Sequence, residues 1–521
     1  MNSLPWFELL PWLPLVGFFL TRLLPRVEAR KICLWSSGLT LGLATLLVFS
    51  GSSASPGWMG SWWGWNLVHV DEFSGPLLPL TALIYFVTLL ATVGHKTQHF
   101  SYSGAMLSEA LTMGTLITDN ALWMILLLSL GVLPMWFELR ARGESTRVYE
   151  LHQGLFVCCL VLGGWLSERT SAPSLNASVV LLTIAVLVRS GAFPFHLWRI
   201  DMFQKASFGS SILMVSPMMG AYLCMRLVLP TEPDWALHAI SGLSLATAVY
   251  ASGMALVQLD GRRFFCYLFL SHSSLVLVGI EMATPIGLAA GLSMWLSVGL
   301  ALTSYGITLR CIEARVGRIR LDRYYGLYSH MPTMAAFFLL TGLASVGFPC
   351  TIGFIAGELL TESVVAYSPL IGSLVVVATM LNGIAVMRAY FRIFTGRKFE
   401  TSVMLRSRPS ERFAVTVLTI LVLGGGLWPQ PGVASRHHAA MELMDHRDRY
   451  ANEREAVIVP ETETDQEKET EEKSDEKAQA THAVKIITAQ RLMAAKNADV
   501  KKPLVNDRIS GSGREPPADL N

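Results

Sequence analysis

Fourteen apolar stretches, divided by loops in which every second one is the more basic, constrain this chain more than any other feature. A helix that crosses a bilayer needs about 20 mostly apolar residues. Segments of that kind run near 4–24, 32–50, 76–93, 101–118, 120–137, 149–167 and 175–192, and continue near 206–228, 236–258, 263–281, 286–309, 332–360, 367–390 and 412–430. Loops on the cytoplasmic side of a membrane protein carry an excess of Lys and Arg. Here Arg22, Arg26, Arg30 and Lys31 follow the first segment, whereas residues 51–75 after the second contain no Lys or Arg. Lys96 follows the third, and only Asp119 and Asn120 divide the fourth from the fifth. The pattern continues through Arg140, Arg142 and Arg147, then Arg199 and Lys205, then Arg262 and Arg263. Arg310, Arg315, Arg318, Arg320 and Arg323 follow the eleventh segment, and Arg392, Arg397, Lys398, Arg406, Arg408 and Arg412 the thirteenth. A miscounted helix would break this alternation. The sequence therefore predicts an all-α polytopic protein of the cell's inner (plasma) membrane, with about fourteen transmembrane helices and both termini outside the cytoplasm.

Composition agrees. Of the 521 residues, 52% are hydrophobic and 15% charged, against about 25% charged in an ordinary soluble domain. The net charge of +2 says little about partners and gives no basis for nucleic-acid binding. Trp12 to Leu20 is followed by bases and not by a small-residue cleavage site, so it reads as the core of a retained first helix. The membrane domain is expected over 1–431. Residues 432–521 are expected to form a disordered tail, because the Glu/Lys/Thr-rich stretch from Glu461 to Lys477 and the segment from Arg508 to Asn521 have no apolar face to bury. Truncation after Ser435 is accordingly expected to be tolerated. Within that tail, Val484 to Ala495 has the spacing of a short amphipathic helix.

No cofactor or metal site is expected. The seven cysteines form no CxxC, and most lie in apolar runs as buried thiols do. Neither a Walker A motif nor a GxGxxG that opens a helix after a strand occurs, so the chain should neither bind NADH nor carry electrons.

Ionisable groups inside membrane helices are costly, and each needs a reason. Arg189 sits in an apolar segment, and Pro194 then breaks the helix just before His196. A broken helix beside a buried charge opens backbone groups to an internal cavity in transporters. The competing reading is an arginine that snorkels to the cytoplasmic interface. Glu358 follows a Gly/Pro-rich interruption, Gly347-Phe-Pro349-Cys-Thr-Ile-Gly353, and would place a carboxylate at depth on a second broken helix. His272 lies inside the tenth segment, where it could pass protons or simply pack. These four residues, Arg189, His196, His272 and Glu358, form the expected proton pathway. Glu138 and His152, at helix ends, read as ordinary solvated groups. Trp58, Trp62, Trp63 and Trp65 read as interfacial anchors in a loop whose alternation could form a hairpin.

The order of several segments resembles a known family. They are HVDEFSGPLLPLTALI (69–84), LLLSLGVLPMWF (126–137), VRSGAFPFHLW (188–198), MALVQLDGRRFFCYLFLSHSSLVLVGI (254–280) and YYGLYSHMPTMAAFFLLTGLASVGFPCTIGFIAGELL (324–360), with LWPQP (427–431) at the last helix. Over roughly 66–430 the chain resembles the antiporter-like membrane subunits of respiratory complex I and the related multi-subunit sodium/proton antiporters, its subunit 4 branch in particular. That resemblance implies two inverted five-helix bundles with a broken helix each. It also implies partner membrane subunits, and a polar axis of Lys, Glu and His that moves protons or monovalent cations. Little of the axis is kept. The fifth-helix Glu position is Ser129, the seventh-helix Lys position is Arg189, the eighth-helix Lys or His falls near Met218, and 286–309 contains no His. Glu358 matches the twelfth-helix acidic position. Lysine can lose its proton when desolvated and arginine effectively cannot, so the usual Glu–Lys switch is missing. Two alternatives follow: the membrane subunit of a DAB-type inorganic carbon transporter, which works with a soluble zinc-protein partner, and a degenerate subunit that scaffolds its neighbours.

Overall fold

A computed structural model describes residues 6–50, 68–92, 100–167, 172–231, 234–280, 282, 284–397 and 405–458. The tryptophan-rich stretch 58–65 and the tail segments 461–477, 484–495 and 508–521 lie outside the described residues. Among the described residues the structure is all-helical, apart from an isolated bridge between Asp260 and Arg320. In chain order the helices are α1 (Leu9–Leu23), α2 (Arg26–Phe49), α3 (Leu77–Ala91), α4 (Tyr102–Ile117), α5 (Ala121–Leu130), α6 (Leu133–Ala141), α7 (Arg147–Ser167), α8 (Ala172–Ser190) and α9 (Leu197–Lys205). They continue with α10 (Phe208–Val215), α11 (Met219–Leu223), α12 (Asp234–Val257), α13 (Gly261–Ile280), α14 (Pro285–Val316), α15 (Pro332–Val346), α16 (Ile352–Tyr367), α17 (Pro369–Phe394), α18 (Pro409–Leu427) and α19 (Gln430–Ile458). Among the described residues nine helices are long and apolar enough to cross a membrane, counting α5–α6 and α10–α11 with its following π turn as single spans. Shorter apolar helices include α3, the end of α8 and α15.

Local chemistry sets the helix starts. Asn120 divides α4 from α5 because its Oδ1 accepts from the backbone N–H groups of Leu122 and Trp123, leaving fewer donors orphaned at the helix start. Thr284 does the same for α14 through Gly287, with Pro285 at the first helical position. Four spans are interrupted: at Gly131–Val132, at 191–196, at 216–218 and at 347–351. The segment expected as one helix over 332–360 is thus two helices, and the second runs on to Tyr367.

The core is built around α14, whose 32 residues are mostly buried and pack against α3, α13, α15, α16 and α18. Large apolar side chains point outward instead on the peripheral helices: Phe49 is 83% exposed, Trp35 74% and Leu370 70%. Such a surface is inverted relative to a soluble protein and suits a hydrocarbon solvent. Two bases of the expected cytoplasmic loops are tied down at the helix ends: Arg262 pairs with Glu313 and Arg315 with Glu411, while Arg388, from within the segment expected over 367–390, donates to the carbonyls of Leu256 and Gln258.

The folded region does not stop at residue 431. Arg436 is 1% exposed and donates to the carbonyls of Phe73 and Glu72, while Ala439, Ala440 and Leu443 of α19 are buried. One compact unit extends to Ala451, and a second begins at Asn452. Charge density obscured this in the sequence, because α19 buries only a narrow stripe and uses one of its own bases to hold backbone carbonyls.

Candidate functional site

The most polar interior point is where α8 gives way to α9. Helix α8 ends at Ser190 and Gly191 turns left-handed with φ of +65°. A Cβ there would lie 2.7 Å from Arg199 Nε, so the guanidinium occupies the space that any other residue would need. The freed backbone is satisfied by side chains: Trp198 Nε1 donates to Val188 O at 3.0 Å, Arg199 donates to Arg189 O at 3.4 Å, and Phe193 N–H donates to Thr247 Oγ1 at 2.8 Å. The Phe193–Pro194 peptide is cis. This is the broken helix that Pro194 predicts.

Arg189 is 6% exposed and does not snorkel. Its nearest interactions are soft: NH2 lies 3.9 Å from Met214 Sδ, and the guanidinium stands 5.9 Å from the Phe156 ring centroid. Nε has no hydrogen-bond partner among the described residues. Ser129, at the position where the family resemblance implies a carboxylate, turns its hydroxyl back to Ile125 O of its own helix at 2.7 Å. Arg199, also buried, reaches Ser273 Oγ on α13 at 3.2 Å. His196 is buried beside Tyr250 and Tyr267, with Nε2 at 3.5 Å from the Tyr250 hydroxyl. Arg189, His196 and Arg199 therefore share the break.

Two cavities of about 20 Å³ each, enough for one water apiece, lead toward Arg189. The first is lined by Glu138, Ser210 and Ser108, the second by Ser108, Thr112 and Arg189, and both share Leu213 and Met214. Glu138 is not the solvated group its place near a helix end suggests. It is 5% exposed, accepts from Ser207 N–H at 2.8 Å and pairs with Arg142 at 3.2 Å. His152, also expected to be solvated, is buried, with Nδ1 2.8 Å from Val148 O.

The other expected residues lie apart. His272 is fully buried on α13, and neither ring nitrogen has a hydrogen-bond partner among the described residues. Its neighbour Ser271 accepts from Asn382 Nδ2 at 2.9 Å, which ties α13 to α17. Glu358, expected at depth, has its side chain exposed at the surface of α16. The break before α16 exists, with Gly347 and Cys350 at positive φ, but Glu358 faces away from the chain's interior.

Sequence reasoning also missed other charges held away from solvent. Glu109 on α4 is 0% exposed and accepts from Ser37 at 2.9 Å. Arg310, expected in a loop, is buried near the end of α14 and donates to Thr88 O at 3.3 Å. Asp71, just before α3, forms a two-bond pair with Arg226 at 2.8 and 2.9 Å. Burial opposes ionisation of Asp71, yet Arg226 and the hydrogen bonds of Ser74 outweigh it and hold the carboxyl below its ordinary range. Glu109 was within reach of the rule that singled out Arg189: an ionisable residue inside an apolar stretch. Among the described residues no group of His, Cys, Asp and Glu could hold a metal ion.

The fold has known counterparts. Residues 112–382 match the model of the transmembrane region of the NADH:quinone oxidoreductase/Mrp antiporter family. NADH-quinone oxidoreductase subunit M of Rickettsia prowazekii (strain Madrid E) is 23% identical over 409 residues, 72% of this chain and 82% of that protein. NAD(P)H-quinone oxidoreductase chain 4 of the Chara vulgaris chloroplast is 25% identical over 490 residues, 82% of this chain and 97% of that protein. Among solved structures, a chain of respiratory complex I from Thermus thermophilus superposes with a TM-score of 0.73 at 19% identity, covering 85% of this chain and 99% of that one. A chain of the Mrp complex from Dietzia sp. DQ12-45-1b gives 0.73 at 17% identity, covering 84% and 98%.

Proposed function

The chain belongs to the NADH:quinone oxidoreductase/Mrp antiporter transmembrane family, and from that membership we propose that it is a membrane subunit contributing to proton or monovalent-cation translocation in a hetero-oligomeric complex. The relatives reported above are subunits of quinone oxidoreductases and of an Mrp complex, which favours this reading over an inorganic carbon transporter. In the full reading, fourteen helices cross the inner membrane with both termini outside the cytoplasm. Two inverted five-helix repeats contain the breaks at 191–196 and 347–351. Other membrane subunits pack against the apolar outer surface, including the face of α16 that carries Glu358.

The observation that carries the proposal is the buried Arg189 at a broken helix, lining one of two neighbouring water-sized cavities that share Ser108, the other lined by Glu138. A fixed cation in a wet, narrow path sets the local potential that a moving proton or cation meets. His196 lies beside Arg189 at the break and His272 farther off on α13, and Glu358 would join this set once a neighbouring subunit covers it.

The test uses inverted membrane vesicles that contain the whole complex, with ion uptake followed by a fluorescent probe and assembly followed on native gels. Arg189→Met removes the fixed charge that sets the local potential and should lower uptake at least about tenfold, the effect of about 1.4 kcal/mol on a barrier, while the complex still assembles. Unaltered uptake with intact assembly would overturn the translocating role and leave the scaffold reading in its place.

A further inference from the structure

Arg189 is a buried cation with no carboxylate against it, and Glu109 is a buried carboxylate with no base against it. Glu109 Oε1 accepts from Ser37, whereas Oε2 has no hydrogen-bond partner among the described residues. The helices packed against α4 offer little else. Helix α2 presents Ser37, with Cys33 in electrostatic reach, and carries Arg26, Glu28, Arg30 and Lys31 at its first turns. Helix α1 carries Arg22 in its last turn, with Glu8 just before its start. Helices α5 and α10 carry no titratable group, and α6 carries Glu138 and Arg140 toward its end. On α3 the facing group is Tyr85.

Tyr85 connects the two orphans. It lies within electrostatic reach of both Glu109 and Arg189. Its hydroxyl is 2.7 Å from Ser108 Oγ and 3.5 Å from Thr112 Oγ1. Those two hydroxyls line the cavity that holds Arg189. Ser108, the chain neighbour of Glu109, thus bonds Tyr85 and, with Thr112, lines the water-sized space beside Arg189. Two isolated buried charges would each be severely costly, and opposite charges on the two sides of these hydroxyls lessen the cost of both.

We propose that Glu109 on α4 is the titrating carboxylate of the first half of the molecule and the counter-charge of Arg189, coupled to it through Tyr85, Ser108 and Thr112. This rests on the translocating reading above and names the group that would do the exchanging there. Arginine keeps its proton, so the mobile proton must sit on the acid. A proton reaching Oε2 converts carboxylate to carboxylic acid, and its departure restores the carboxylate. No heavy-atom bond changes and no other reactant is needed.

The two sites answer differently to substitution. With Arg189→Met, Glu109 can take up a proton and become neutral, so the complex assembles. With Glu109→Gln, Arg189 stays charged without a counter-charge, and the yield of assembled complex should fall at least about fivefold. The double variant Glu109→Gln/Arg189→Met should recover that yield while uptake of ions stays lost. Glu109→Asp should retain both. On purified full-length complex in nanodiscs, difference infrared spectra over a pH titration should contain a carboxylic-acid C=O band that Glu109→Gln removes.

A Glu109→Gln complex that assembles and translocates like the unmodified one overturns the proposal, and so does a yield that Arg189→Met fails to restore. Yield and the infrared band do not depend on transport. A pair that passes both tests in a complex that moves no ions would leave this inference standing and remove the translocating role instead.

Discussion

A charge taken out of water is costly unless a partner holds it. Asp71 shows how one is held when its partner is present. The carboxylate and Arg226 are 8% and 10% exposed at their side chains and face each other squarely, with Asp119 farther off at 3.8 Å. Asp71→Asn would leave Arg226 buried with only that exposed second acid, so stability should drop by about 3 kcal/mol, the low end for a broken buried pair. Thermal unfolding in detergent would measure it. The pH dependence has a definite sign. The folded carboxyl titrates below the unfolded value near 4, so its stabilisation is complete above about pH 4 and is lost as pH falls through the lowered folded value. The Asn variant should lack that acid-side loss. At this scale the sequence is a partial guide. Arg189 stands out because Pro194 punctuates its helix, whereas Glu109 has no such punctuation in Ser108-Glu109-Ala110. Arg310 joins a run of loop arginines, and only the depth reached by α14 shows that it turns inward. Asp71 and Arg226 are far apart in the chain, and nothing short of the fold brings them together.

Elements are where the sequence reads best. The fourteen expected segments find helices at every position, and the Asp119–Asn120 divide is a helix cap. What periodicity and hydropathy cannot give is which face of a helix turns inward, and Glu358 is the example. Its sequence neighbours, a glycine-rich break and an apolar helix, are those of a buried acid, yet α16 turns the side chain outward. The reason lies in how the 347–351 break is clamped. A Cβ on Gly353 would sit 2.1 Å from Ala344 O, and one on Gly426 of α18 would sit 2.3 Å from Thr351 C. These contacts press α16 and α18 onto the break and fix the rotation of α16. Gly426→Ala should therefore cost about 1–3 kcal/mol through forced backbone shifts. The exposed Glu358→Gln should fall within about 0.5 kcal/mol of the unmodified chain, which makes it the control in the same melting series. An equal effect from both would mean that the glycine contact does not set the geometry.

On the scale of the whole chain, the main revision concerns where folding ends. Truncation after Ala451 keeps Arg436, Ala439, Ala440 and Leu443 in place and should leave the membrane region unaffected. Truncation after Ser435 removes the hydrogen bonds of Arg436 and the buried stripe of α19, at a cost of about 3 kcal/mol from bonds to a charged group plus apolar burial. Melting temperature and yield in purified membranes would separate the two truncations, and identical behaviour would show that α19 adds nothing. The long helix α14 has a different consequence. At 1.5 Å per residue its 32 residues span about 48 Å, against a hydrocarbon thickness of about 30 Å. Tilt in membrane proteins reaches about 40°, which still accommodates only about 39 Å, so the excess reaches beyond the hydrocarbon core into the headgroup region or past it. The C-terminal end of α14 bears Glu313 and Arg315, and each is lashed to a neighbour, to Arg262 at the start of α13 and to Glu411 at the start of α18. The helix is a mast stayed from two sides. A load on that end is therefore shared with α13 and α18 through the two ion pairs.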